Sequence, residues 1–363
     1  MSKATIILKI DPSHPESELI EQAATVLKQG GLVAFPTETV YGLGALALDV
    51  TATSGIFKAK GRHSDNPLIV HVADAEQLNN LVSEVSPTTQ ACMNHFWPGP
   101  LTLVMPKQAH VPQVVTAGLD TVAVRCPMHP VARALIQAAG PIAAPSANLS
   151  GKPSPTTAQH VIEDLFGIVD IIIDGGSATV GLESTVVDPA LGAILRPGSV
   201  TYADLQSVGI NISETKLNMT PKPSDEQPTS PGQKYKHYAP NAKAMLVLGT
   251  ADSTTDFIKS QLVTQAEACH IAVLTTDVHL DSFCNLLSAP LTVSLGSAQD
   301  LRTIAANLYG CLRDFDTPQH QHITQIYVQA DFHHQDDPLA LSIMDRLVRA
   351  CSYDIVDTHS VVS

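Results

Sequence analysis

The sequence predicts an α/β protein in two parts, a mixed, twisted sheet followed by a small parallel sheet, with a flexible linker between them. Three observations carry this. Apolar runs of strand length are interspersed with stretches whose apolar residues recur at helical spacing. A polar segment over 212–241, ISETKLNMTPKPSDEQPTSPGQKYKHYAPN, holds five prolines and few apolar residues, which is linker composition. Beyond it, strands and helices alternate strictly, the pattern of a parallel sheet covered by helices. The expected parts are therefore 1–211, 212–242 and 243–363.

The N-terminal part reads as follows. MSKATIILKIDPSHP reads better as a first strand than as a signal peptide, since it lacks a long apolar region and a small-residue cleavage site. Ser13 to Gln29 reads as a helix. Ser13 and Glu16 fit a capping box, and Leu19, Ile20, Ala23, Val26 and Leu27 form one apolar face. Gly30 and Gly31 end it. Strands are predicted at Leu32–Phe35, Leu68–Val72, Leu101–Met105, Val122–Cys126, Ile142–Ala144, Ile171–Asp174, Thr185–Asp188 and Ala193–Leu195. Helices are predicted at 51–60, 87–96, 129–139 and 156–166. Their order is not a regular βαβ alternation, so the sheet should be mixed.

The C-terminal part is more regular. Strands at Ala244–Leu248, Ile271–Leu274, Leu291–Ser294 and Ile323–Val328 alternate with helices near 252–266, 281–287, 298–313 and 338–350. This is a small Rossmann-like pattern, and such a fold does not by itself settle a function.

Composition narrows the classes. The chain has 363 residues, 44% of them apolar, enough to bury real cores. Aromatics are 4%, so aliphatic residues must do most of the packing. Lys and Arg number 21 against 35 Asp and Glu, a net charge of −14. Nonspecific coating of nucleic acid and docking on an anionic membrane both need a basic excess, so neither is indicated. No apolar run approaches the length of a membrane span, and the expected location is the cytoplasm. The six cysteines form no CxxC pair and are too sparse for a disulfide framework. They read as reduced packing residues. His320, His322, His333 and His334 with Asp331, Asp336 and Asp337 read as a solvated polar loop rather than a metal site.

The phosphate-loop, dinucleotide, zinc-protease and nucleophile-elbow signatures are absent. Four other segments place polar residues at strand ends. In Phe35-Pro36-Thr37-Glu38-Thr39-Val40-Tyr41-Gly42-Leu43-Gly44 a buried strand runs into polar residues and a Gly-rich turn. Glycine there allows close backbone approach to a ligand, and an ordinary turn explains it as well. Lys58, Lys60 and Arg62 close a helix, where the macrodipole favours cations. They also suit a triphosphate clamp. Arg125 falls on the strand face opposite Val122 and Val124. It needs an anionic partner, either a carboxylate of the protein or a ligand. Ser146 and Asn148 follow a short strand and offer neutral hydrogen-bonding groups, fit to read a base or ribose edge or to shape a turn. His71 ends an apolar strand, where a core histidine is the commoner case.

In order, FPTETVYGLG, KAKGR…NPLIVH, AVRCP, APSANLSG, ESTVVD and LRPG resemble the YrdC-like domain of the threonylcarbamoyl-AMP synthase family. The linker motif SPGQKYKHYAP, followed by a βα-alternating domain, is similar to the long, two-domain form of that family. The resemblance covers essentially the whole chain. Two positions depart from the family's pattern: His63, where Pro is frequent, and Gln233, where Met is common. The stretch 336–347 matches only loosely.

The resemblance implies an enzyme, a nucleotidyltransferase. L-threonine and bicarbonate or CO2 would form a carbamate that attacks the α-phosphate of ATP. Pyrophosphate would leave, and a separate transferase complex would carry the threonylcarbamoyl group to tRNAs reading ANN codons. Mg2+ would accompany ATP. Lys60 and Arg62 would be the catalytic electrostatic groups. Thr39, His71, Arg125, Ala144 and Ser184 match positions lining the threonine pocket. Arg62, Asn66, Thr121, Ser146, Ser154 and Arg196 match positions around ATP, and Tyr238 one that closes over it, with Tyr235 the alternative. Asn148 joins this set on its chemistry alone. No carboxylate is an obvious general base; Glu38 is the candidate, and orienting the loop would account for it equally. The rival readings are a double-stranded RNA-binding module and a hydrogenase-maturation carbamoyltransferase, which should carry CxxC motifs that are absent here.

Overall fold

The chain divides into two compact units, one built mainly from Met1–Ser150 and Ser154–Thr215, the other mainly from Lys236–Ser363. A computed structural model describes residues 3–213, 216–220, 238–264, 270–284, 290–334 and 337–358. Among these, no helix is long and apolar enough to cross a membrane.

The strands of the first unit are β1 (Ile6–Lys9), β2 (Val33–Phe35), β3 (Gly42–Leu46), β4 (Ile69–His71), β5 (Leu101–Pro106), β6 (Thr121–Arg125), β7 (Ile142–Ala143), β8 (Ile171–Asp174), β9 (Thr185–Asp188) and β10 (Ala193–Arg196). Its helices are α1 (Ser17–Lys28), α2 (Val50–Lys60), α3 (Ala75–Asn79), α4 (Pro87–Phe96), α5 (Gln113–Thr116), α6 (Pro130–Ala139), α7 (Ala158–Leu165) and α8 (Tyr202–Ser207). The strands form a sheet in the order β1-β8-β2-β3-β7-β4-β6-β5-β9-β10. Parallel pairs (β1–β8, β2–β8, β4–β6, β5–β9) mix with antiparallel ones, as the irregular element order predicts.

Strand alternation separates two cores. Val33 and Phe35 join Leu27 of α1 and Val131 and Leu135 of α6 in one. Ala34 joins Tyr41, Leu43, Ile56, Val70 and Val124 in the other. Cys92 and Cys126 are buried free thiols, consistent with packing roles.

Two expectations are corrected. The first helix starts at Ser17, not Ser13, and no side chain caps it. The Ser13 amide instead donates to Asp11 Oδ1 at 2.8 Å, while Glu16 accepts from the Asp11 amide at 3.3 Å. An Asp-centred turn has taken both halves of the capping box. Gly42-Leu43-Gly44 is not a turn but strand β3. A Cβ on Gly44 would stand 2.7 Å from Ile142 Cγ2 and 2.9 Å from Phe35 Cε1, so these glycines let two strands close on an aromatic ring. Short helices α3, α5 and α8 add to the expected elements. Each has few residues over which periodicity can register.

The second unit contains β11 (Lys243–Leu248), α9 (Ala251–Thr264), β12 (Ile271–Thr275), α10 (Asp281–Cys284), β13 (Leu291–Ser294), α11 (Leu301–Asp314), β14 (Gln325–Ala330), α12 (Pro338–Ala350) and β15 (Ile355–Asp357). The sheet is wholly parallel, in the order β13-β12-β14-β11-β15. Strand β15 was not expected from the sequence; its residues are only partly buried or exposed. His320 pairs with Asp314, and no group of three metal-ligating residues occurs among the described residues. His333 and His334 side chains lie outside them.

Candidate active site

The loop between β2 and β3 is polar yet fully buried. Thr37, Glu38 and Thr39 are 2%, 3% and 1% exposed. Thr37 Oγ1 holds the turn. It donates to the Val40 carbonyl at 2.6 Å and accepts from the Thr39 and Val40 amides at 3.2 and 3.3 Å. An ordinary surface turn would leave such groups to water. This one aims Glu38 and Thr39 at the end of β6.

There they meet Arg125, the last residue of that strand. Arg125 Nε donates to the Gly99 carbonyl at 3.1 Å and Nη1 to Thr39 Oγ1 at 2.8 Å. Its Nη2 stands 2.6 Å from Glu38 Oε1. The anionic partner that the sequence demanded is therefore present in the protein itself.

Strand register gathers the remaining threonine-pocket candidates. His71 lies directly across from Arg125 on β4, and Thr102 across from it on β5. Thr102 and Ser184 hydroxyls are 2.7 Å apart. Ala144, 3% exposed, follows β7, and its amide donates to the Ile69 carbonyl at 2.9 Å. Burial, and then the Arg125 charge, push His71 down to about 3, against a weaker contrary effect of the Ile142 and Ile69 backbone. The ring is therefore neutral near pH 7. Burial likewise pushes the Cys126 thiol up, away from nucleophilic reactivity.

The nucleotide candidates form two further groups. Lys60, 3% exposed, closes α2 and donates to the backbone carbonyls of Ser146 and Asn148, and to Asn148 Oδ1 at 3.3 Å. Ser146 Oγ also donates to Asn148 Oδ1, at 2.5 Å. Gly61, with φ of +62°, ends the helix in the left-handed region. It turns the chain toward Arg62, whose Nη2 donates to the Pro67 carbonyl at 3.2 Å. Asn66 is 1% exposed, and its Oδ1 is buried with no hydrogen-bond partner among the described residues. Arg196 forms the second group with the loop before β9. Its Nε and Nη2 donate to the Ser184 carbonyl at 3.1 and 2.9 Å, and Nη2 reaches Ser184 Oγ at 3.1 Å. Ser154 donates to Glu183 in the same loop at 2.5 Å.

Thr121 and Arg125 share one face of β6, at opposite ends of the strand, about 13 Å apart at ordinary strand rise. Tyr238 belongs to the second unit. It is buried, packs on Tyr309 at a ring-centroid distance of 5.2 Å and has φ of +65°. The other linker residues singled out, Tyr235 included, lie outside the described residues.

Sequence reasoning missed Gly99 and Thr102. Gly99 lies in Trp97-Pro98-Gly99-Pro100, a segment dense in turn formers, which was the available signal; Thr102 lies within strand β5. A Cβ on Gly99 would sit 2.4 Å from the Phe96 carbonyl oxygen, so the turn that presents its own carbonyl to Arg125 requires glycine.

Known proteins resemble this chain along its whole length. The family model described as Telomere recombination matches residues 25–198. The one described as Threonylcarbamoyl-AMP synthase, C-terminal domain, matches residues 200–352. The threonylcarbamoyl-AMP synthase of Bacillus subtilis is 42% identical over 341 residues, covering 93% of this chain and 94% of its own. That of Pyrococcus abyssi is 41% identical over 360 residues, covering 97% and 99%. A crystal structure of P. abyssi Sua5 complexed with L-threonine aligns with a TM-score of 0.86 and 40% identity over 98% of this chain and 99% of that one. A buried polar cluster on a mixed sheet, a parallel second domain and full-length similarity agree: the chain belongs to the threonylcarbamoyl-AMP synthase family, in its two-domain form.

Proposed function

We propose that this protein condenses L-threonine, bicarbonate or CO2 and ATP into threonylcarbamoyl-AMP, releasing pyrophosphate. The observation that carries the reading is the buried constellation of Arg125, Thr39, His71, Ala144 and Ser184 in a member of this family. Support comes also from the relative that was crystallised with L-threonine. The RNA-binding alternative is not favoured by this membership.

The residues suit the reaction. Arg125 supplies a planar fork for the threonine carboxylate. Neutral His71 with the Thr39 and Ser184 hydroxyls lines a pocket for the rest of the amino acid. The threonine ammonium first gives a proton to water. The neutral nitrogen then attacks the carbon of CO2, one C=O π bond opens onto oxygen as the C–N bond forms, and a second nitrogen proton passes to water to leave the carbamate. A carbamate oxygen then attacks the α-phosphorus as the bond to pyrophosphate breaks. Negative charge gathers on phosphate oxygens in that step. Lys60 and Arg62 provide the compensating positive field. Lys60 also holds the Ser146–Asn148 segment in place, so one ammonium group shapes the nucleotide site and charges it. Asn66, Thr121, Ser146, Asn148, Ser154 and Arg196 surround ATP in this reading. Tyr238 closes over it and keeps water from a labile product. Positioning and electrostatics suffice, without a covalent nucleophile.

Mg2+ would accompany ATP and would neutralise charge on its phosphates. The described residues offer no ready cluster of three protein ligands, so phosphate and water oxygens would carry its coordination. The product passes to a separate tRNA-modifying transferase, and the cytoplasm is the setting this reading assigns.

The test is incorporation of labelled bicarbonate by the purified protein with ATP, Mg2+ and L-threonine, omitting each in turn. A nucleotide adduct requiring all of them, with matching pyrophosphate release, is expected. Folded protein that binds ATP yet forms no adduct would overturn the reading.

A further inference from the structure

Glu38 is a buried anion with an incomplete set of partners. Its Oε1 faces Arg125 Nη2 at 2.6 Å, but among the described residues neither carboxylate oxygen has an aligned hydrogen bond. A carboxylate has room for about four donors, and leaving that capacity unused at 3% exposure is costly. The nearby side chains do not fill it. Thr39 is engaged with Arg125 and Thr37, and the Thr102 and Ser184 hydroxyls bond each other. Arg125 is also incompletely used. Its fork has five N–H groups. One serves Gly99, one serves Thr39, and one edge faces Glu38. Room remains on the guanidinium for a second carboxylate.

We propose that Glu38 receives the α-ammonium group of the substrate, so that Arg125 and Glu38 together read both charges of an amino acid. This rests on the threonine reading above. An α-amino acid carries its carboxylate and ammonium on the same carbon. It therefore fits two opposite protein charges that are themselves in contact. Arg125 takes the carboxylate on its remaining hydrogens, and the ammonium supplies the donors that Glu38 lacks. In this arrangement Glu38 determines specificity: it selects an amino acid over the corresponding hydroxy acid. The alternative is a positioning role, in which Glu38 only keeps Arg125 in place. That role would affect both ligands alike.

The experiment is titration calorimetry of the full-length protein, without ATP, using L-threonine and (2S,3R)-2,3-dihydroxybutanoate, which bears a hydroxyl in place of the ammonium. The unaltered protein should prefer threonine by about ten- to a hundredfold, the worth of a charge-assisted hydrogen bond. Glu38→Gln should lose most of that preference while binding the hydroxy acid within about threefold of the unaltered protein. Equal losses for both ligands would overturn the proposal in favour of positioning, and so would an unchanged preference. Should Glu38→Gln not fold, the unaltered protein still decides, because equal binding of the two ligands sinks the idea. Failure of the unaltered protein to bind threonine at all would instead strike the substrate reading on which the proposal rests.

Discussion

Arg125 and Glu38 form an ion pair at 2.6 Å with both side chains 4% exposed. Pairs taken this far from water gain little over an apolar replacement, yet breaking one leaves a charge uncompensated. Arg125→Met should therefore destabilise the first unit by about 3–5 kcal/mol. Adding Glu38→Gln to it should recover part of that loss. Urea unfolding of the two single variants and the double variant checks this; strictly additive effects would mean that the pair is not coupled.

His71 gives a pH signature. Its folded value, about 3, lies below the ordinary 6.5. Between those values the unfolded chain binds a proton that the folded one does not, so stability rises with pH. Above pH 6.5 the contribution is fully present. On acidification from about 6.5 toward 3 it is lost, at up to about 1.4 kcal/mol per unit. A His71→Gln variant should show a shallower decline of melting temperature over that window. An unchanged slope would mean that His71 is not the group responsible.

Gly198 has no space for a side chain. A Cβ there would stand 2.4 Å from the Thr185 amide nitrogen and 2.7 Å from the Glu183 carbonyl oxygen, both backbone atoms. Gly198→Ala must therefore displace the Glu183–Ser184 loop that Arg196 grips. We expect a loss of about 1–3 kcal/mol in stability together with weaker threonine and ATP binding. Calorimetric melting and ligand titration would reveal it, and unperturbed binding would show that the loop yields without consequence.

Lys60→Met should depress kcat by about 10²–10³ with a smaller change in the threonine KM, because in the proposed reaction its charge acts as phosphate charge develops. Pyrophosphate release measured against threonine concentration separates the two. A change confined to the threonine KM would reassign Lys60 to the amino-acid pocket.

The lid role proposed for Tyr238 and the linker is testable by rate. Both Tyr238→Phe and deletion of Ser230–Pro240 should slow adduct formation and speed hydrolysis of the product. If neither rate moves in either variant, the lid idea fails.

Much of this protein was legible from its residues alone. Strands β8, β9 and β13 and helices α4 and α12 lie where the sequence pattern placed them, since each is a local run or recurrence of apolar residues. Lys60, Arg62 and Arg125 stood out as cations at element ends, and alternation assigned Arg125 its face. Glycine was harder to interpret. Without a side chain it contributes nothing to periodicity, so β3 looked like a turn until the Phe35 ring and Ile142 were seen to occupy the space. The partner of Arg125 was beyond reach for a different reason. Alternation tells which face a side chain takes but not which distant loop crosses that face. The chain's own residues determined an α/β architecture, the local elements and the set of polar groups available for chemistry. Tertiary structure decided that Glu38 meets Arg125, that Thr102 meets Ser184 and that Lys60 holds the Ser146–Asn148 segment. Those contacts follow from strand register and loop crossing, which join residues far apart in the chain and leave no periodic trace along it.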